Sequence, residues 1–288
     1  MTTEPYAAVA VPSRRDPGIY AGLSFVDYYR ISALNHGTLE AFVKGTPAHA
    51  REAMIHPAEA TPDLAFGHAF HVFVLEPERF PYLYAVPPKC DRRTKVGKEI
   101  WSAFEADNPG RTLISREELD TFLAMRQSVM AHPAAAELLN GTRGANELTV
   151  LWRDAETGLL CKARLDRVAA YGEWPWVVDL KTTRDAGARS FGRDVANYGY
   201  HRQLSWYREG LATVRPGPRR AGIVAVEKTP PYCVAVYELE ERALEQGARE
   251  IRNHVNRYWQ CVQSGEWPGY DPGVVSLDLP TWAVDRLE

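Results

Sequence analysis

GLLCKARLDRVAAYGEWPWVVDLKTT, residues 158–183, decides how the rest of the chain is read. Two apolar, strand-like segments, Leu159 to Ala169 and Trp176 to Thr182, flank a Gly/Pro-containing turn from Tyr171 to Pro175. Each carries charge where an inert sheet holds hydrophobic side chains. A strand has a period of two, so Lys162, Arg164 and Asp166 share one face of the first. Val177, Asp179 and Lys181 share a face of the second. In a regular hairpin Asp166 and Asp179 are opposite or near-opposite neighbours, close enough to serve one ion. Two such carboxylates repel unless a proton or a cation lies between them. A hard, oxygen-ligated ion resolves the conflict, most naturally Mg2+, with Mn2+ as a substitute. Lys181 then stands at the same centre, able to position or help deprotonate a water, or to stabilise charge on a phosphate. The plain alternative is an exposed Asp/Lys hairpin with modest ion pairs.

Downstream, Phe191 to Tyr207 is mainly helical in pattern, and Tyr200, Gln203 and Tyr207 fall on one stripe of it. They serve either packing, with their polar tips hydrogen-bonded, or placement of DNA and water near an ion. Ala221 to Val226 and Tyr232 to Tyr237 read as a second hairpin, and Glu238 to Ser264 as a long helix packing through Ile251, Val255 and Tyr258. Upstream, Glu147 to Trp152 alternates as a strand. Ser115 to Leu139 and Lys98 to Asn108 look helical, with a break at Pro133, and Phe80 to Ala85 looks extended. Thr61 or Asp63 caps a helix that runs to about Leu75 and stops before Pro77. Gly67 allows another backbone close to that helix, and His71 lies beside its apolar stripe. A lone histidine there is ordinarily a structural, hydrogen-bonded residue; acids arriving from elsewhere make it a ligand. Ser32 caps a helix holding Leu34, Leu39 and Phe42, and Pro47 starts another through Met54. Residues 1–24 read as an irregular arm. With no repeat and no low-complexity linker, the pattern implies one α/β domain over residues 25–283, a mixed sheet with helical insertions, and a short tail at 284–288.

The composition, 45% hydrophobic and 25% charged over 288 residues, is that of an ordinary soluble globular chain. A net charge of −3 does not advertise a nucleic-acid binder, but a binding channel needs only local positive potential. Basic residues cluster at Arg92, Arg93, Lys95 and Lys98, and at Lys162, Arg164 and Arg167. Cys90, Cys161, Cys233 and Cys261 form no CxxC pair, which argues against a zinc knuckle and for thiols in a reducing cytoplasm. No stretch has the pattern of a membrane span or a secretory leader.

An ordered set of segments goes further: ISALNHGTLEAFVKGTPAH, TPDLAFGHAFHVFVLEPERF, ELTVLWRDAETGLLCKARLDR, WPWVVDLKTTRDA, YHRQLSWY, VEKTPPY and GEWPGY. Spanning roughly residues 25–283, it resembles the RecE-type exonuclease domain (exodeoxyribonuclease VIII type) of the PD-(D/E)xK nuclease superfamily, and more broadly its RecB-like branch. The resemblance implies a restriction-endonuclease-like mixed central sheet flanked by helices. It also implies His71 of an HxxxL motif, Asp166 and Asp179 as metal ligands, and Lys181 as the catalytic lysine. Gln203 and Tyr207 match its QxxxY motif, which positions DNA, with Tyr200, Arg164, Arg167 and Glu147 as accessory residues. Glu147 is not counted among the core ligands. The chain departs from the family label in carrying Asp-Leu-Lys where a Glu form is common; Asp still supplies the carboxylate.

The implied activity is Mg2+-dependent, 5′-to-3′ degradation of linear double-stranded DNA, leaving 3′ single-stranded tails for recombination. The implied partners are a single-strand annealing protein and, in a ring, further copies of the chain. The implied setting is the cytoplasm of a bacterial host, with a phage or prophage origin. A related nuclease of different polarity, or a non-catalytic DNA-binding component, is the alternative.

Overall fold

The computed structural model describes residues 16–280. Most of the expected arm, residues 1–15, and the expected tail lie outside the described residues. The chain begins with β1 (Gly18–Tyr20), α1 (Phe25–Arg30), α2 (His36–Lys44), α3 (Pro47–Ile55) and α4 (Pro62–Leu75). It continues with α5 (Phe80–Leu83), β2 (Tyr84–Ala85), α6 (Lys95–Asp107), β3 (Thr112–Leu113), α7 (Arg116–Ala131) and α8 (Pro133–Asn140). The central stretch is β4 (Gly144–Arg153), β5 (Leu160–Tyr171) and β6 (Trp174–Thr183). After it come α9 (Ala188–Asn197), α10 (Tyr200–Val214), β7 (Arg220–Glu227), β8 (Val234–Glu238) and α11 (Glu241–Ser264).

Six strands form one sheet in the order β1-β4-β5-β6-β7-β8. Every neighbouring pair is antiparallel except β6 and β7, whose parallel pairing needs the crossover that α9 and α10 supply. This is the mixed, mostly antiparallel sheet with helical flanks of a restriction-endonuclease-like α/β fold. One core cluster joins Val150, Trp152, Leu165, Val177 and Ile223 of the sheet to Leu204, Trp206, Leu211, Ile251 and Val255 of α10 and α11. The other joins Val178, Leu180 and Val224 to Phe70, Phe122, Met125 and Leu138 of α4, α7 and α8. Alternate residues of β6 therefore serve opposite layers, as a buried strand requires. Helix α10 presses close to the sheet at Gly210, where a Cβ would stand 2.5 Å from the Trp152 ring.

The pleat is interrupted at one position. Leu148 and Val150 pack with the α10 layer, but so does Ala145; on the partner strand Leu165 and Val168 both do. Two residues three apart cannot share a face of a regular strand, so both strands change parity between them. The interruption coincides with Glu147, whose φ of 53° is left-handed, and with Asp166 at the opposing register position. The parity change also turns Arg167 away from where regular alternation puts it.

On its other side β5 pairs with β6 only from Tyr171↔Trp174 to Arg167↔Val178. Beyond that the two strands part. The vacated edge of β5 is taken by the segment before α2: the Leu34 N–H donates to Leu160 O at 2.8 Å and the Lys162 N–H to Leu34 O at 2.7 Å. Asp166 and Asp179 would be the next pair in register, so the expected regular hairpin ends one step short of them.

Other boundaries differ for local reasons. The expected arm ends in β1, which hydrogen-bonds along β4 at the sheet edge. Asn35, not Ser32, caps α2, because its Oδ1 reaches the Thr38 N–H at 2.9 Å. Thr61 rather than Asp63 caps α4. Phe80–Leu83 forms a helical turn rather than extended chain, and left-handed Gly199 (φ 71°) divides the expected Phe191–Tyr207 helix in two. The close approach expected at Gly67 is ordinary: a methyl there would meet Thr182 Oγ1 at 3.6 Å.

Candidate metal centre

A cavity of about 310 Å³ opens where β5 and β6 part. Its walls come from α1 (Phe25, Tyr28), the start of α2 (His36), α4 (His71), the central strands (Glu147, Lys162, Arg164, Asp166) and α10 (Gln203, Tyr207).

One ligand atom each from His71, Glu147 and Asp166 lies within 4.8 Å of the others. Each reaches that point for its own reason. Thr61 and Pro62 start α4, its apolar face buries against α7, and His71 is left facing the sheet. Asp166 is fixed by its backbone surroundings: the Leu180 N–H, having lost its ladder partner, donates to Asp166 Oδ2 at 2.8 Å. The same oxygen lies 3.4 Å from His71 Nδ1. Glu147 gets there through its left-handed backbone, a conformation that costs on the order of 1–3 kcal/mol in a non-glycine residue and concentrates at functional sites.

Arg164 clamps this arrangement from the side. Its Nε–H donates to Glu147 in a very short contact and its Nη1–H to Leu23 O at 2.7 Å, while Nη2 lies 3.6 Å from Glu76 Oε2. Burial nevertheless pushes the Glu147 carboxyl up, and the Asp166 charge adds to that against Arg164. A site that raises the proton affinity of its acids is one where a cation can replace the proton.

Asp179 and Lys181 stand behind the cavity wall as a pair, with Lys181 Nζ 2.5 Å from Asp179 Oδ2. Asp179 is 1% exposed, and neither of its carboxylate oxygens has a hydrogen bond of normal geometry. Burial pushes its carboxyl up, with Lys181 opposing and Asp166 reinforcing the shift. For Lys181 burial works downward, but the Asp179 and Asp166 charges prevail and hold its ammonium above the usual lysine range. The Lys181 ammonium is the charge that compensates this buried carboxylate, so the sign of a cation comes from the His71, Glu147 and Asp166 cluster. With one imidazole and hard oxygen donors alongside, the residues present fit a divalent cation.

Of the expected residues, the structure brings His71, Asp166 and Glu147 together, and it promotes Glu147 from accessory residue to member of the cluster. Asp179 is adjacent but outside that set. The Gln203 Nε2–H donates to the Tyr207 hydroxyl at 2.7 Å on the cavity wall, and the Tyr200 ring lies 4.8 Å from Lys181 Nζ. Arg167 is not brought there. It is 4% exposed, on the side of α8, donating to Leu138 O, Gly141 O and Asn146 Oδ1. Lys162 is also committed, its Nζ donating to Tyr28 O at 2.9 Å and Ile31 O at 2.8 Å. The basic Arg92–Lys98 run lies at the start of α6, where the Arg92 guanidinium sits 3.9 Å over the Trp101 ring. Sequence reasoning missed His36, which lines the cavity, and its partner Glu40 one turn along; their spacing of four on one helix was the available signal.

The family described as a PDDEXK-like domain of unknown function (DUF3799) matches residues 36–274. The chain belongs to this family. Among solved structures, a candidate exonuclease from Eubacterium rectale superposes on the PDDEXK-like chain with a TM-score of 0.59 at 13% identity. The match covers 92% of this chain and 99% of that one, and shows a shared fold. The protein SSO0001 matches at a TM-score of 0.27 and 16% identity, over 63% of this chain and 84% of its own, too low to argue from. No curated protein matches the sequence. The PDDEXK-like chain thus combines a nuclease-superfamily fold with a His/Glu/Asp cluster suited to metal-assisted phosphodiester hydrolysis.

Proposed function

We propose that the protein is a Mg2+-dependent exodeoxyribonuclease that degrades linear double-stranded DNA from 5′ ends and leaves 3′ single-stranded tails for recombination. The observation that carries the hydrolytic part is the convergence of His71, Glu147 and Asp166 at the break in the sheet, beside the buried Asp179–Lys181 pair. Polarity, RecE-like character and a phage setting rest on the sequence resemblance, as do an annealing-protein partner and a ring of copies.

His71, Glu147 and Asp166 would hold the cation, Mg2+ or in its place Mn2+, with Asp179 as the adjacent carboxylate. A divalent cation there supplies Lewis-acid polarisation of a phosphodiester and acidifies a water. Lys181, kept as an ammonium by Asp179, offsets negative charge that grows on the phosphate during attack. Gln203 and Tyr207 fix the far wall and orient the strand, and Arg164 holds Glu147 in place. Tyr200 holds the Lys181 ammonium against its ring face. Among the described residues no helix is long and apolar enough to cross a membrane.

The test is digestion of linear duplexes labelled at the 5′ or the 3′ end, alongside closed circular duplex, with Mg2+ or with EDTA. Early release of 5′ label with the circle intact supports the proposal. Early release of 3′ label, or cutting of the circle, replaces it with a nuclease of different polarity or an endonuclease. DNA binding without cleavage replaces it with a non-catalytic DNA-binding component.

A further inference from the structure

A second set of buried charges, outside the cluster, ends in the same cavity. His36, the first residue of α2, lines it, and its Nε2 lies 3.2 Å from Glu40 Oε1, one turn along the helix. Glu40 is gripped from α10 by both arms of Arg202, with Nε 2.6 Å from Oε1 and Nη2 3.0 Å from Oε2. Arg202 Nη1 in turn reaches Glu250 Oε2 of α11 at 2.9 Å. The His36, Glu40 and Arg202 side chains are 16%, 15% and 8% exposed. A forked arginine–carboxylate pair is geometrically stiff, so Glu40 is a fixed acceptor.

That fixed acceptor selects the tautomer of His36. Burial works against ionisation of Glu40, yet hydrogen bonds from His36 and Arg202 hold its carboxyl down to about 2. An ionised carboxylate only accepts, so the nitrogen beside it, Nε2, carries the ring proton. Nε2 is also sealed from solvent, although its contact with Glu40 is angled. The other ring nitrogen, Nδ1, presents a lone pair in a neutral ring, on a residue that lines the cavity. Burial favours the neutral ring over the opposing pull of Glu40. Charged groups facing His36 come from Glu40 on its own helix, Lys181 on β6 and Arg202 on α10. Lys162 and Arg164 of β5 and His71 of α4 line the same cavity.

Phosphodiester hydrolysis needs an acceptor for one proton of the attacking water, and Lys181, held as an ammonium by Asp179, has no lone pair with which to be it. We propose that His36 is a further catalytic residue, the general base whose Nδ1 takes that proton. The proposal rests on the hydrolytic reading above. In the step one O–H bond of water breaks and its proton passes to Nδ1, while the water oxygen forms a bond to phosphorus. The bond from phosphorus to the leaving oxygen breaks, that oxygen takes a proton from solvent, and His36 returns its own to solvent. Glu40 and Arg202 are positioning residues in this scheme. The arrangement is the orienter–base pair that general-base catalysis requires.

Two measurements test it. Long-range 1H–15N correlation spectra of the metal-free wild type should show His36 with Nε2 protonated and Nδ1 bare near neutral pH, and a mixed population in Glu40→Gln. In Mg2+ kept saturating at every pH, the cleavage rate of wild type should fall on the acid side with a single titration. His36→Asn should lose about 100-fold or more, as expected for removal of a general base, with its acid limb abolished and Mn2+ affinity unchanged; His36→Gln, which preserves more of the side-chain bulk, should behave alike. A proton on Nδ1 in the spectra overturns the proposal, and so does a folded His36 variant with wild-type rate and acid limb. A rate loss equal at every pH also overturns it, by assigning His36 a structural role. Absence of cleavage by wild type in every condition removes the hydrolytic reading as well, so the two failures are distinguishable.

Discussion

Asp166 accepts the Leu180 backbone N–H at 2.8 Å at the step where the β5–β6 ladder ends. One carboxylate thus closes the sheet and points a second, charged function at His71. The two jobs separate by substitution. Asp166→Asn keeps a carbonyl for Leu180 and should unfold at close to the wild-type denaturant midpoint while losing divalent-cation affinity. Asp166→Ala strands a buried N–H as well and should cost an additional ~1–3 kcal/mol in urea unfolding. Equal stability of the two variants would contradict the sheet-closing role.

Glu147 occupies a left-handed backbone position that its side chain, not its backbone preference, accounts for. Both Glu147→Gly and Glu147→Ala remove the carboxylate and leave Arg164 without that partner. Only glycine adopts a φ near 53° without penalty, so Glu147→Gly should be the more stable of the two by about 1 kcal/mol. Calorimetric unfolding of the pair measures the difference; alanine as the more stable variant would show that the backbone is not strained there.

Burial pushes the carboxyls of Glu147 and Asp179 up, to about 8 and about 6, so on the acid side of those values the metal-free protein holds protons that a cation must displace. Mn2+ affinity should therefore strengthen as pH rises from about 5 to about 8, with net proton release. The same shifts make metal-free stability decline as pH rises through the folded-state values, because the folded form binds the extra protons. Titration calorimetry in buffers of different ionisation enthalpy measures the release. Binding with no proton exchange across that range would mean that neither acid is protonated beforehand.

Most of the sheet is legible in the sequence because β4 to β7 are largely buried strands, and β8 a half-buried one, bounded by turn residues. The cluster is only half legible. His71 and Asp166 stand out as polar residues within apolar elements. Glu147 does not, because its role depends on a pleat interruption shared by two strands, which no single-strand pattern records. Period-two counting misplaces Arg167 for the same reason. Lys162 and Arg164 look like free surface charge until the segment from Leu23 to Leu34 is seen to return along β5 and take up their N–H groups.

Lys162 gives a test of that return path. Desolvation lowers its ammonium from 10.5 to about 8, so the folded form sheds the proton first. Between those two pH values the unfolded chain binds more protons, and wild-type stability should gain with rising pH from this residue. Lys162→Met should lack the gain, and its amides near Tyr28 and Ile31 should exchange hydrogen faster through loss of the two carbonyl tethers. An identical pH dependence in both proteins would place the lysine in water.

The central claim is that His71, Glu147 and Asp166 hold a divalent cation that makes this chain a nuclease. Single-turnover cleavage of a linear duplex across a Mg2+ titration tests it most directly, comparing wild type with Asp166→Asn of matched stability. The account predicts cleavage that saturates with Mg2+ and vanishes in EDTA, and a variant slower by about 1,000-fold or more, on the order of 4 kcal/mol in the barrier. Wild-type cleavage that persists in EDTA, or an Asp166→Asn protein as fast as wild type, would contradict it.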